Sequence, residues 1–245
     1  MLAGAVGAAL LSGAVPRSGR ASDSAPASAI DLGALTRETQ QQYQDPSTLQ
    51  IVWWLPVDIW AAVIQGDPAG TTRGKALDLF DAHLVFFVAE ADISPLGNIA
   101  FRDPAKTRER FRLQAPDGRR YPPLPEEKIP ADMRVLLNTM LPALASGAGE
   151  VGKNFRPFVF EASDASGARI AAPREPGELV VLLNERRFRW RLPLGSLLAP
   201  KYCPVDDEEL SGAFRYCPYH GAELRSTAAD PESPKTSDTE AVRSR

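Results

Sequence analysis

The strongest constraint on this chain is a short element used twice near its C-terminus. Lys201-Tyr202-Cys203-Pro204-Val205-Asp206 is echoed by Arg215-Tyr216-Cys217-Pro218-Tyr219-His220, and Glu209-Leu210 by Glu223-Leu224. The echo holds both cysteines of the chain and one of its two histidines. Each arm offers a cysteine and a second ligand type three residues on: Cys203 with Asp206, Cys217 with His220. Thiolate, imidazole and carboxylate all ligate Zn²⁺, and four such groups complete a tetrahedron. The proline after each cysteine fixes φ where the turn begins, and Gly221 relieves strain where the second turn ends. The spacing therefore predicts a metal site built from Cys203, Asp206, Cys217 and His220. The same spacing allows a Cys203–Cys217 disulfide and no metal. Closing a loop of about 15 residues would stabilise the fold by roughly 3 kcal/mol in the chain-entropy account. Two free thiols are the third outcome.

This segment resembles zinc-ribbon modules, whose knuckles read Cys-Pro-x-Cys-Gly and Cys-Pro-x-Cys/His/Asp-Gly. The resemblance covers Lys201 to Leu224 only. It places Cys203, Cys217 and His220 at ligand positions. Asp206 stands where a second cysteine is expected, and Asp207 where the pattern has glycine. The resemblance implies a structural metal and a small ribbon that serves as a platform for a protein partner.

The 245 residues suffice for a sizeable core without staples. Net charge is −3, which gives no bulk electrostatic case for nucleic acid or an anionic membrane as partner. Met1 to Val15 is an apolar run too short to span a bilayer, which needs about 20 residues, but of a length suited to a secretory signal. Ser12-Gly13-Ala14 and Ala27-Ser28-Ala29 offer small-residue cleavage sites, whereas no Lys or Arg precedes the run. The leader points to a periplasmic or secreted protein, with a cytoplasmic one as the alternative. No transmembrane span is expected.

Residues 1–45 read as leader and linker, 46–199 as a β-rich main domain, 200–225 as the knuckle module and 226–245 as a disordered tail. Within the main domain, Leu49 to Trp54 and Phe155 to Glu161 read as strands. His83 to Ala89 is a continuous Val/Phe-rich run, the mark of a central strand buried on both faces. Val57 to Gln65 follows Pro56 and reads as a short helix, Thr72 to Ala82 as a second. Ala115-Pro116-Asp117-Gly118 joins Phe111–Leu113 to Tyr121 as a hairpin, and Glu178–Leu183 pairs with Arg187–Leu192 around Asn184-Glu185-Arg186. Met133, Leu136, Leu137, Met140 and Leu144 recur at helical spacing. The fold class is α+β: an antiparallel or mixed sheet, or a sandwich, with a few helices and a C-terminal ribbon-like hairpin.

The remaining motifs carry less. Gly147-Ala148-Gly149-Glu150-Val151-Gly152-Lys153-Asn154 imitates a phosphate loop, but it follows a helix and leads into a strand, the reverse of the required context. Trp53, Trp54 and Trp60 read as core. His83 begins a buried strand with no catalytic partner in view. Arg110, Arg112, Arg187, Arg189 and Arg191 alternate with apolar residues and would form one cationic strip for an acidic ligand if their strands were neighbours. These features favour a non-enzymatic, exported binding or structural protein. The alternatives are an intracellular zinc-knuckle accessory protein that docks a partner and, more weakly, an enzyme with a carboxylate-based site.

Overall fold

The computed structural model describes residues 30–64, 71–145 and 149–228. The expected signal leader, the start of the glycine-rich segment at Gly147 and all but the beginning of the expected tail lie outside the described residues. In chain order the elements are α1 (Leu32–Thr39), β1 (Gln40–Gln44), β2 (Thr48–Leu55), α2 (Val57–Val63), α3 (Thr71–Asp81), β3 (His83–Ile93), β4 (Ile99–Phe101), α4 (Pro104–Arg110), β5 (Phe111–Gln114) and β6 (Arg120–Tyr121). Then follow α5 (Ala131–Ala145), α6 (Gly149–Lys153), β7 (Arg156–Glu161), β8 (Gly177–Leu183), β9 (Arg186–Leu192), β10 (Lys201–Tyr202) and β11 (Glu209–Leu210). The class is α+β with antiparallel pairing in each sheet.

The unbroken apolar run of β3 sits at the centre of a five-stranded sheet. β2 covers one edge of β3, while β7 and β4 share the other, β7 along His83–Val88 and β4 along Ala91–Ile93. Alternate residues of this sheet bury opposite faces. On one face Phe87 meets Trp53 and also Trp60 of α2, which stacks on Phe80 of α3 at 3.9 Å between ring centroids. On the other face Trp54, Phe86, Phe158 and Phe160 meet Phe111 and Trp190 of a second, four-stranded sheet. The molecule thus stacks helices, a doubly buried sheet and a second sheet. Trp53, Trp54 and Trp60 are all buried, as their spacing suggested.

The second sheet runs β6-β5-β8-β9. Its inner face carries Phe111, Leu113, Leu179, Val181, Leu183, Phe188 and Trp190, all in the main core. Its outer face carries the arginines, and here two expectations change. β5 and β9 are not neighbours, because β8 lies between them. Arg110 does not belong to the strip at all: it closes α4, one residue before β5, and its guanidinium turns to Glu90.

The folded region also begins earlier than expected. Leu32–Thr39 is a helix capped by the Asp31 carboxylate, which accepts from the Ala34 N–H at 3.0 Å, and Leu35 is fully buried. Gln40–Gln44 then pairs along Trp53–Leu49 as an edge strand. A glutamine-rich strand has no hydrophobic alternation to betray it, and its partner β2 supplies the order. α4 was likewise unexpected; Asp103 caps it and Pro104 opens it.

Candidate metal centre

Two hairpin turns build the site, and their backbones match. The Cys203 N–H donates to Glu208 O at 3.0 Å and the Asp207 N–H to Cys203 O at 3.0 Å; the Cys217 N–H donates to Ala222 O at 2.8 Å and the Gly221 N–H to Cys217 O at 2.9 Å. Each turn closes through a residue of positive φ, Asp207 at 61° and Gly221 at 67°. Asp207 therefore adopts the conformation that the ribbon pattern gives to glycine, which short polar side chains tolerate better than most. β10 pairs with β11 on one side and Tyr202 bridges Arg225 on the other. The second turn is closed by the Tyr216–Glu223 bridge. Cys203, Cys217 and Leu224 make a small core of their own, separate from the main one.

Within this module Cys203, Cys217 and His220 converge, with their ligand atoms all within 4.8 Å of one another. His220 Nδ1 lies 3.4 Å from Cys203 Sγ and 3.5 Å from Cys217 Sγ. With Zn–S near 2.3 Å and Zn–N near 2.0 Å, the S···N edge of a tetrahedron is about 3.5 Å, so these distances fit a shared ion. The three residues can hold a metal ion. The disulfide alternative is corrected: both cysteines are free and buried, and no pair lies at disulfide distance.

Asp206 stands at the rim. Its Oδ2 is 3.8 Å from His220 Nδ1 and its Oδ1 accepts from the Glu208 N–H at 3.2 Å. It lies outside the tight triad of Cys203, Cys217 and His220. Burial first, and then the Asp206 carboxylate, push the Cys203 thiol above its ordinary pKa. The same thiol, followed by the Glu208 N–H, holds the Asp206 carboxyl below the usual carboxylate range. Burial acts on Cys217 in the same upward sense, but the N–H groups of His220 and Tyr219, with the imidazole and Cys203, outweigh it and lower that thiol.

Close backbone contact docks the module on the main domain. A Cβ on Gly212 would stand 2.2 Å from Ala199 O, and one on Gly195 would stand 2.0 Å from Ser211 Oγ. Within the module the Lys201 ammonium donates to Phe214 O at 2.8 Å. A groove of about 980 Å³ runs beside this junction, lined by α1, Gly195–Pro200 and Glu209–Gly212.

Sequence reasoning missed a second polar cluster. Glu90 of β3 has a fully buried side chain. Its Oε1 accepts from Arg102 Nη1 at 2.8 Å, Gln50 Nε2 at 3.0 Å and Asn184 Nδ2 at 3.3 Å; its Oε2 accepts from Thr107 Oγ1 and Arg110 Nη2, each at 3.1 Å. The carboxylate ties both sheets and α4 together at one end of the sandwich. Five donors enclose it, so it presents no free lone pair to a substrate. The only sequence signal was an acid interrupting an apolar strand. His83 is structural too: its Nδ1 is 2.7 Å from Leu79 O. Gly149–Lys153 is a short helix leading into β7, not a phosphate loop. Among the described residues no helix is long and apolar enough to cross a membrane. Comparisons with family models, curated proteins and solved structures find no match to this chain.

Proposed function

We propose that the chain is a non-catalytic binding or structural protein whose C-terminal knuckle pair holds a structural zinc ion through Cys203, Cys217 and His220, with Asp206 completing the tetrahedron. The single observation that carries this is the position of His220 Nδ1, 3.4 and 3.5 Å from the two sulfurs at the junction of two matching turns. The donor set suits zinc, which accepts thiolate, imidazole and carboxylate together. The metal's work is to hold the two turns together: their joint core is three residues, too small to order the segment by burial alone. The test is metal analysis of purified protein with thiol titration before and after chelation. One equivalent of zinc, with two thiols released by chelator, supports the reading. Reduced protein that retains no zinc after dialysis against it refutes the reading.

The two unbonded, buried cysteines favour the intracellular version of this function, because thiols persist and bind zinc in a reducing compartment. N-terminal sequencing of the mature protein decides. An N-terminus at or near Met1 supports an intracellular accessory protein, and one beyond Ala14 or Ala29 supports export.

A further inference from the structure

The outer face of the second sheet is cationic, and only at its Arg112 end does α4 reach it, where Arg112 Nη1 donates to Arg108 O at 3.2 Å. Register places three rows across it: Arg112–Leu182–Arg187, Arg120–Gln114–Val180–Arg189, and Glu178–Arg191. Val180 and Leu182 are 5% and 6% exposed, yet they lie outside both apolar cores. They form a floor between long arginine side chains, whose aliphatic stems cover such surface while the charged heads stay in water. Arg120, Arg187, Arg189 and Arg191 are exposed and Arg112 is half-buried. The face already binds one carboxylate: Arg189 grips Glu178 Oε1 through both Nε, at 2.9 Å, and Nη2. Arg112, Arg120, Arg187 and Arg191 have no carboxylate partner among the described residues.

We propose that this face binds an extended acidic segment of a partner protein. Arg187, Arg189 and Arg191 project at alternate positions of one strand, about 6.8 Å apart. An extended peptide with acids at every second position repeats at that same spacing, so acids four residues apart would set carboxylates against the Arg187 and Arg191 forks on either side of the Arg189–Glu178 pair. A polypeptide is preferred over single-stranded nucleic acid because the outward residues of these rows include no aromatic on which bases could stack. The arginines supply specificity for charge and spacing, and the Glu178–Arg189 pair fixes the middle of the strip. The proposal does not depend on the metal site.

Fluorescence anisotropy with the full chain tests it, using a labelled peptide of alternating Glu and Ser. Salt-sensitive binding of this peptide is expected. The Arg187→Glu/Arg191→Glu variant should weaken it by about tenfold or more, the effect of a few surface ion pairs lost and reversed. Should that variant fail to fold, Arg187→Gln/Arg191→Gln keeps the stems over Val180 and Leu182 and should still weaken binding by at least about threefold. No binding at low salt, unchanged affinity in a variant that melts like the parent, or tighter binding of oligothymidylate or phosphatidylserine vesicles would each overturn the proposal.

Discussion

Replacing Glu90 by Gln is the sharpest probe of how this sandwich is held together. The change keeps size and shape but removes the charge, and it turns one acceptor oxygen into a donor. That amide nitrogen must then face either Gln50, Arg102 and Asn184 or Thr107 and Arg110, each of which donates to the carboxylate in the parent. Two charge-assisted bonds to arginine are weakened, each worth about 1.5–3 kcal/mol. Removing one partner of a buried ion pair costs about 3–5 kcal/mol. Arg102 and Arg110 retain 25% and 34% side-chain exposure and can regain water, which moves the expectation to the low end, about 3 kcal/mol. For a chain of this size each kcal/mol lowers the melting temperature by about 2–4 °C, so a loss of roughly 6–12 °C follows. Circular dichroism melts of Glu90→Gln against parent and the exposed control Glu127→Gln measure it. A Glu90→Gln protein that melts within about 2 °C of the parent would falsify the view that this carboxylate is a structural hub.

Other expectations concern the module and the surface. Gly212→Ala sets a Cβ 2.2 Å from a backbone oxygen that cannot swing aside, so it should cost about 1–3 kcal/mol and expose the knuckle segment to limited proteolysis; an unchanged digestion pattern argues against close docking. Cys203→Ser should abolish stoichiometric zinc binding while leaving the main-domain melt in place, since its cores are separate; retained one-to-one zinc would exclude Cys203 as a ligand. Zinc affinity should fall as pH falls, because protons compete for the ligands. With both thiols protonated the fall approaches about a hundredfold per pH unit. A competition titration against a chromogenic chelator reads this slope, and a flat profile refutes thiolate ligation. The hydrogen-bonded Arg169 guanidinium holds the Asp81 carboxyl below its ordinary pKa. That contribution is complete above the unfolded carboxylate value near 3.9 and is lost as pH falls through the lower folded value. Asp81→Asn should therefore destabilise by about 0.2–1 kcal/mol at pH 7 and converge with the parent in strong acid, as denaturant melts at both pH values would show.

The central strand, the hairpins, the tryptophan core and the duplicated knuckle were legible in the sequence because each depends on neighbours along the chain. Period, turn chemistry and spacing are local quantities. An apolar run such as His83–Ala89 has few ways to be buried, and two Tyr-Cys-Pro turns fold alike because the same backbone constraints act on both. The strand Gln40–Gln44 was not legible, since polar residues at a sheet edge are ordered by the partner strand and not by their own pattern. The Glu90 cluster was hidden for a stronger reason: its five donors come from β2, from β4's exit, from α4 and from the β8–β9 turn, and only the packing of two sheets brings them to one carboxylate. The arginines show both sides. Alternation placed Arg112, Arg187, Arg189 and Arg191 outward, but strand order set β8 between them and sent Arg110 to Glu90. At the knuckle, spacing nominated four ligands and left metal, disulfide and free thiols open. Tertiary geometry removed the disulfide and brought His220 Nδ1 within 3.4 and 3.5 Å of the two sulfurs with Asp206 at the rim, because side-chain direction in a closed turn is fixed by the opposing turn and not by the chain's own sequence.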